Sequence, residues 1–500
     1  MTTQTKKYSL QAMMLGVLLL GSCSKFLEEA DPSNFTEENY FNKPDHARSS
    51  VNAIYASLRD PMASGFGGGA WTMTEFATGQ AGTDLGQAVN SYFIKELHNT
   101  ADNGYGLTYW QSSYRGIANA NLAIAKIPGI SMDAVEAKRL LGEAYFLRAW
   151  YYFNLVQLFG NIPLITKPVD LKSEYLRPKQ ASAEEVYKLI VEDLKFAESA
   201  GLPWKDATGK VSMGAAKSLL AKVYLTMAGY PLQKGAEYFN LAAKKAEEVI
   251  DAKQFSLFTT YADLHNPAKK NLEENIFMIQ FKTQITPANW QELIIPYNKN
   301  ISAYSAETGG IYATADFVKS YAPNDLRAAE GQFFFTKFTN QDNRTLSVDL
   351  GGYFIYKLFD VVAHTSSANS DLNWSLLRYA DVLLIYAEAA NEVNGPSTKV
   401  YDAVNATRTR AQLSALNGLS KDQLREEIWK ERWYELCYEN ITWFDMVRLR
   451  KAFNLTTKGF NNYVGHQFSY GPVLSQRELL FPIPSVELRN NPNLIPTKGY

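Results

Sequence analysis

The sequence predicts a mainly α fold, in which helix-turn-helix pairs like those of tetratricopeptide repeats form a scaffold beside a loop-rich, irregular subdomain with short β segments. Two observations carry this. Ten segments place apolar residues at three- and four-residue spacing, as amphipathic helices require. Two long stretches, 61–103 and 260–374, lose that period and are rich in Gly, Thr, Asn and aromatic residues.

The chain opens with Lys6 and Lys7, an apolar run from Ala12 to Leu20, and then Gly21, Ser22 and Cys23. A basic head, a short apolar body and small residues describe a secretory signal over residues 1–22. The run falls short of the roughly 20 residues that span a bilayer, so cleavage is expected rather than retention. Leucine and two small residues directly before cysteine resemble a lipobox, which makes Cys23 the expected lipid attachment site and the mature N-terminus. Several acyl chains would hold the protein on a membrane, since each buried methylene contributes about 0.8 kcal/mol. Glu28, Glu29 and Asp31 follow, similar to the acidic tether of exported surface lipoproteins. Cys437 is then the one remaining cysteine; with no disulfide to form, it is expected in the core.

Residues 23–500 read as one domain, with helical scaffold over about 36–260 and 375–452 and a C-terminal segment over 453–500. The periodicity predicts helices over Asp45–Leu58, Tyr109–Ile127 and Ala134–Leu158. In the third, Leu140, Ala144, Leu147, Tyr151 and Leu155 with their neighbours cover most of the surface, so it should be packed on several sides, and Gly160 and Pro163 stop it. Further helices are expected over Ser182–Ala200, Ser212–Ala228, Glu237–Ala252, Leu376–Val393, Lys399–Gln412, Lys421–Tyr438 and Thr442–Ala452. The tetratricopeptide signature does not recur cleanly, so only the pairing of helices is inferred. The two long stretches are expected to be ordered loops, because their aromatics argue against disorder.

Fifty basic and fifty-one acidic residues give a net charge of −1, which leaves no field to recruit nucleic acid. The five histidines are scattered without metal-ligand spacing, and no nucleophile or zinc motif occurs, so no metal or cofactor is expected. Gly65-Phe66-Gly67-Gly68-Gly69-Ala70 is not preceded by an apolar strand and reads as a loop rather than a dinucleotide turn. Glu431, Arg432, Glu435, Asp445 and Arg448, interleaved with Trp433, Trp443 and Phe444, describe an ion-paired helix joint rather than a catalytic acid pair.

Specific motifs run the length of the chain. They include Phe26-Leu27-Glu28 and Asn39-Tyr40-Phe41; Trp110, Tyr114, Ile117 and Asn121; Glu143 through Ala149; Gly160 through Leu164; and Leu377 through Leu384. Glu431-Arg432, Trp443-Phe444-Asp445, Pro482-Ile483-Pro484 and the final Gly499-Tyr500 complete the set. The chain thereby resembles the SusD/RagB family of nutrient-binding outer-membrane lipoproteins. Thr442, where the family usually has arginine, and Ile495 through Lys498 depart from its pattern, and Asn440 stands at a position often glycine. Asparagine tolerates the left-handed conformation that ends a helix.

The resemblance implies a non-catalytic protein, facing outward on the outer membrane, that binds oligosaccharide and passes it to a SusC-like TonB-dependent transporter. A sugar ring offers an apolar face to an aromatic side chain, while its hydroxyls need amide or carboxylate partners. In the loop stretches Trp71, Tyr92, Trp290, Tyr297 and Tyr304 supply rings, and Asp84, Asn289, Gln291 and Asn298 supply polar groups; these are the candidate ligand residues, with Trp71 and Trp290 foremost. Phe66, Tyr312, Trp374 and Asn300 lie in the same stretches. Two other functions fit: a peptide importer of the RagB type, and a surface glycoside hydrolase using carboxylates such as Asp84, Glu292 and Glu307.

Overall fold

The structure is a computed structural model that describes residues 41–65, 68–170, 173–303, 307–367 and 369–500. The signal segment, Cys23 and Tyr304 lie outside the described residues.

Eleven helices of seven residues or more are described: α1 (Pro44–Ala56), α2 (Val89–Lys95), α3 (Gly104–Lys126), α4 (Ala134–Phe159), α5 (Ala183–Ser199), α6 (Met213–Ala228), α7 (Ala236–Asp251), α8 (Tyr379–Asn394), α9 (Thr398–Arg410), α10 (Lys421–Glu435) and α11 (Thr442–Leu449). Their ends are written in the sequence. Asn103, Asp133 and Ser212 cap α3, α4 and α6 through their side chains, and Ser182 with Glu185 and Ser420 with Gln423 form capping boxes on α5 and α10. Gly160 and Gly395 end α4 and α8 at φ 75° and 76°, a conformation that costs glycine little.

Each helix from α3 to α7 packs on the next, so the scaffold is a row of neighbouring pairs. The row then resumes across a long excursion, with α8 on α7 and on α9 and α10. The excursion, residues 252–378, carries most of the β structure. Helix α4 is buried on nearly all sides, from Leu140 through Phe159. Its Arg148 is bidentate to Asp193 of α5, at 2.8 and 2.7 Å, and also donates to Asn121 of α3 at 2.9 Å, which pins three helices together.

The strands are β1 (Ala81–Gly82), β2 (Asn275–Ile279), β3 (Tyr312–Ala313), β4 (Phe334–Thr339), β5 (Ser347–Ile355), β6 (Trp374–Arg378), β7 (Lys451–Asn454) and β8 (Gly459–Asn462), besides short pairs at 64–69 and 162–181. One sheet has the order β1-β3-β5-β4, β2 pairs antiparallel with β6, and β7 and β8 form a hairpin.

Several expected boundaries move, and α3 begins at Gly104 rather than Tyr109, where Asn103 caps it. Leu376 to Arg378 is strand rather than helix, because it pairs with β2; α10 ends at Glu435; and α11 ends at Leu449, where Arg450 turns left-handed at φ 54° and β7 begins. Asn440 is left-handed, at φ 55°, as its side chain permits. Cys437 is buried, with its sulfur 3.6 Å from the Tyr321 hydroxyl.

The charged cluster of α10 and α11 is an ion-pair network wider than the helix joint. Arg432 meets Asp381 and Asp445, and Arg448 meets Glu388 and Asp445. Next to it Arg378 reaches Glu274, Glu435 and Glu439, while Arg327 reaches Asp325, Glu431 and Glu435.

Glu75 lies beside this network without a full set of partners. It is buried; one carboxylate oxygen accepts from Asn440 N at 2.6 Å, and the other has no hydrogen bond among the described residues. Burial raises its pKa to about 7, against the opposing effects of that bond and of Lys357, with Glu439 adding to the rise. A raised folded pKa stabilises fully below the unfolded value and is lost as pH rises through 7. Glu75→Gln stays neutral, so its stability relative to wild type should rise by about 2 to 3 kcal/mol between pH 5 and pH 8.5 in urea unfolding. A pH-independent difference would show that folding does not raise the pKa of this acid.

Candidate functional site

The irregular subdomain is organised around the β1-β3-β5-β4 sheet. Gly82 of β1 faces Tyr312 of β3, and Ala313 faces Tyr353 of β5. Any Cβ on Gly82 would sit 2.3 Å from the Tyr312 ring, so the glycine is what lets that ring lie across the strand. The Tyr312 hydroxyl points to Asp84 just beyond β1, at 3.4 Å, and burial together with Asp84 pushes its pKa up to about 12. Asp84 itself is exposed, and the turn after it leads into α2, which carries Tyr92. The partly buried Tyr92 ring meets Phe93 edge-on at 6.2 Å and has the Lys95 ammonium 5.3 Å from its centroid.

Tyr297 is presented by a turn that leads back toward β3. Ile311 N donates to Leu293 O at 3.1 Å and Gly309 N to Ile295 O at 2.7 Å, so the segment before Tyr297 runs alongside the one entering Tyr312. The Glu307 carboxylate closes the turn, accepting from the backbone N of Lys299 and Asn300 on one oxygen (2.5 and 2.8 Å) and of Ile301 and Ser302 on the other (2.6 and 3.0 Å). Asn298 and Asn300 take the left-handed conformation, at φ 50° and 53°, that such a turn needs. The result is a Tyr297 that is 57 % exposed beside an exposed Asn298, on a turn whose following backbone, 299–302, is fixed by charge-assisted bonds.

Four expected ligand residues lie elsewhere. Trp71 and Trp290 are 0 % exposed and Trp374 is 3 % exposed; Trp374 meets Trp71 at 5.1 Å and Trp290 at 5.7 Å, with Phe281 closing on Trp290 at 4.8 Å. No face of Trp71 or Trp290 is open to a ligand, which corrects the expectation that they form the platform. Irregular segments have no helical stripe to bury, so these rings supply the apolar area that anchors them. Asn289 brackets Ser64, accepting from its N at 3.2 Å and donating to its O at 2.8 Å. Gln291 is fully buried, donates to Leu358 O at 2.8 Å and accepts from Asp360 N at 3.0 Å. Both amides are loop ties rather than free sugar partners.

His364 also meets Gln291, Nε2 to Oε1 at 3.1 Å, and burial pulls its pKa down to about 3, so it is neutral at physiological pH. Asp84, Tyr297 and Asn298 are exposed and Tyr92 and Tyr312 partly buried, with the Tyr312 hydroxyl facing Asp84. Tyr312 and Glu307 were the residues whose roles the sequence did not reveal. The one available signal was a cluster of Asn and Gly residues, Asn298, Asn300, Gly309 and Gly310, around an isolated glutamate.

As for chemistry, the four backbone bonds occupy Glu307, leaving it no free carboxylate edge to attack or protonate a substrate. Among the described residues no group of three or more His, Cys, Asp and Glu could hold a metal ion, and no helix is long and apolar enough to cross a membrane. The exposed surface offers ring faces, an amide and a carboxylate.

Comparison with known proteins gives a consistent picture. The model of the SusD family matches residues 327–500, and one described as starch-binding, associating with the outer membrane, matches residues 25–225. SusD-like protein P2 of Formosa agariphila is 30 % identical over 524 aligned residues, covering 99 % of this chain and 100 % of the relative. A SusD superfamily protein from Parabacteroides distasonis superposes with a TM-score of 0.88 at 38 % identity, covering 93 % of this chain and 100 % of the other. Surface glycan-binding protein A from Bacteroides thetaiotaomicron, in complex with laminarihexaose, superposes with a TM-score of 0.73 at 20 % identity over 91 % of this chain and 100 % of that one.

Proposed function

The chain belongs to the SusD family, and from that membership we propose that it is a non-catalytic surface lipoprotein, anchored through Cys23, that binds oligosaccharide and delivers it to a SusC-like TonB-dependent outer-membrane transporter. The observation that supports binding at the loop face is Tyr297: a mostly exposed ring on a turn whose backbone is fixed by the Glu307 carboxylate. A ring carried on an already fixed backbone leaves less chain to order when a sugar stacks on it. Asn298 and Asp84 supply hydroxyl partners, and Tyr312 and Tyr92 extend the apolar surface. The commitment of Glu307 to backbone bonds favours binding over hydrolysis.

The test is an affinity-gel and glycan-array screen of residues 24–500, with chromatographic analysis of products. A relative in the same fold holds laminarihexaose, which makes laminarin oligosaccharides the first ligands to try. The expected result is retention on at least one polysaccharide with no shortened product. Retention with cleavage would replace the binding role by a hydrolase, and silence across all glycans would overturn the choice of cargo.

A further inference from the structure

We propose a second binding site, apart from the loop face, for an amphiphilic anion: an apolar body bearing one anionic group. It is a groove of about 720 Å³ between the C-terminal end of α4, the turn that follows α6, the end of α11 and the C-terminal segment. Its size is that of a small-molecule pocket. None of Asp84, Tyr92, Tyr297 and Tyr312 lines it.

The walls are largely apolar, with Val156, Leu232, Phe444, Leu480 and Ile495 among them. At one end stands Arg450, at the left-handed residue that ends α11. Its guanidinium donates to Val447 O at 2.6 Å and lies 4.8 Å from the centroid of the Tyr230 ring, itself 38 % exposed. Among the described residues no carboxylate lies within 4 Å of it, whereas its neighbour Arg448 is paired with both Glu388 and Asp445. The ring is placed deliberately close: Tyr230 N donates to Arg448 O at 2.9 Å, and a Cβ on Gly229 would lie 2.7 Å from that same oxygen.

The other charges of the groove leave positive charge in excess. Arg477 is 3.6 Å from Glu478 and also donates to the carbonyls of Leu97 and Asn99; Glu184, an acid on the wall, is already paired with Lys234, and Lys498 is exposed with no acidic partner among the described residues. A half-buried guanidinium that has surrendered water without gaining a carboxylate is under-compensated. An incoming carboxylate or sulfonate would supply the missing charge-assisted partner, and the apolar walls would cover the rest of the molecule. A neutral sugar would satisfy neither feature, which is why this site is assigned a different ligand class from the loop face.

The experiment uses 8-anilinonaphthalene-1-sulfonate fluorescence on residues 24–500, with decanoate and decanol as competitors. We expect one saturable site, displaced by decanoate at least tenfold more effectively than by decanol. Affinity should fall at least tenfold in Arg450→Gln, stay within about threefold of wild type in Arg450→Lys, and be unchanged in Tyr297→Ala. The lysine variant separates loss of charge from loss of fold, and the tyrosine variant separates this site from the glycan face. Equal binding by Arg450→Gln, equal displacement by decanol, dependence on Tyr297, or no fluorescence response would each overturn the proposal.

Discussion

Arg378→Met is expected to lower the free energy of unfolding by about 3 to 5 kcal/mol at pH 7, read from urea midpoints. Arg378 is 2 % exposed and is the hub of three carboxylates, donating to Glu274 at 2.7 Å, to Glu435 at 2.9 Å and to Glu439 at 2.6 and 2.8 Å. Burial alone would raise the Glu435 pKa, yet Arg410, Arg378, Arg327 and Lys357 together hold it at about 2. Methionine fills much of the volume but leaves only Arg410, Arg327 and Lys357 opposite the three acids, so the loss is that of one buried charge deprived of its counter-ion. Lysine should rescue little, since a single ammonium cannot reproduce the planar fork that reaches all three partners. The network also gives the wild type its acid sensitivity. A depressed folded pKa contributes stability above the unfolded carboxylate range that disappears as pH falls toward 2, and Arg378→Met should flatten that loss. A change below 1 kcal/mol would mean that the network does not hold the scaffold to the excursion.

Trp290→Ala is the second large effect, about 3 to 5 kcal/mol of stability. The ring is enclosed by Trp374 and Phe281, and its truncation leaves a cavity that neighbouring rings cannot fill without leaving their own contacts. Because it lies inside the subdomain rather than on its surface, the folded fraction should bind glycan as the wild type does. Intact stability with lost binding would put the ring back at the ligand.

This contrast between Trp290 and Tyr297 marks how far the sequence could be read. Helices were legible because their period is local: the α4 pattern from Leu140 to Leu158 fixes both the element and its burial. The Trp374 to Arg378 strand was not, because a short apolar run joined to a helix has no period of its own and acquires its state from β2, about 100 residues earlier. The ion pairs within α10 and α11 could be foreseen, but their partners Glu274 and Arg327 could not, since nothing local ties them to Glu435. The same limit applied to the site. Composition identified the right stretches, but rings that anchor a loop and rings that meet a ligand are the same residues beside the same amides. Only the tertiary pairing of Gly82 with Tyr312 and the capture of four amides by Glu307 separate them.

The central claim, that the loop face binds glycan through an exposed ring on a fixed turn, is tested most directly by calorimetric titration of the retained glycan into wild type and Tyr297→Ala. Removing one stacking ring should weaken binding about tenfold or more while the thermal midpoint stays within about 2 °C, because the ring is mostly solvent-exposed. Unchanged affinity with the same midpoint would contradict it and move the glycan site away from this face.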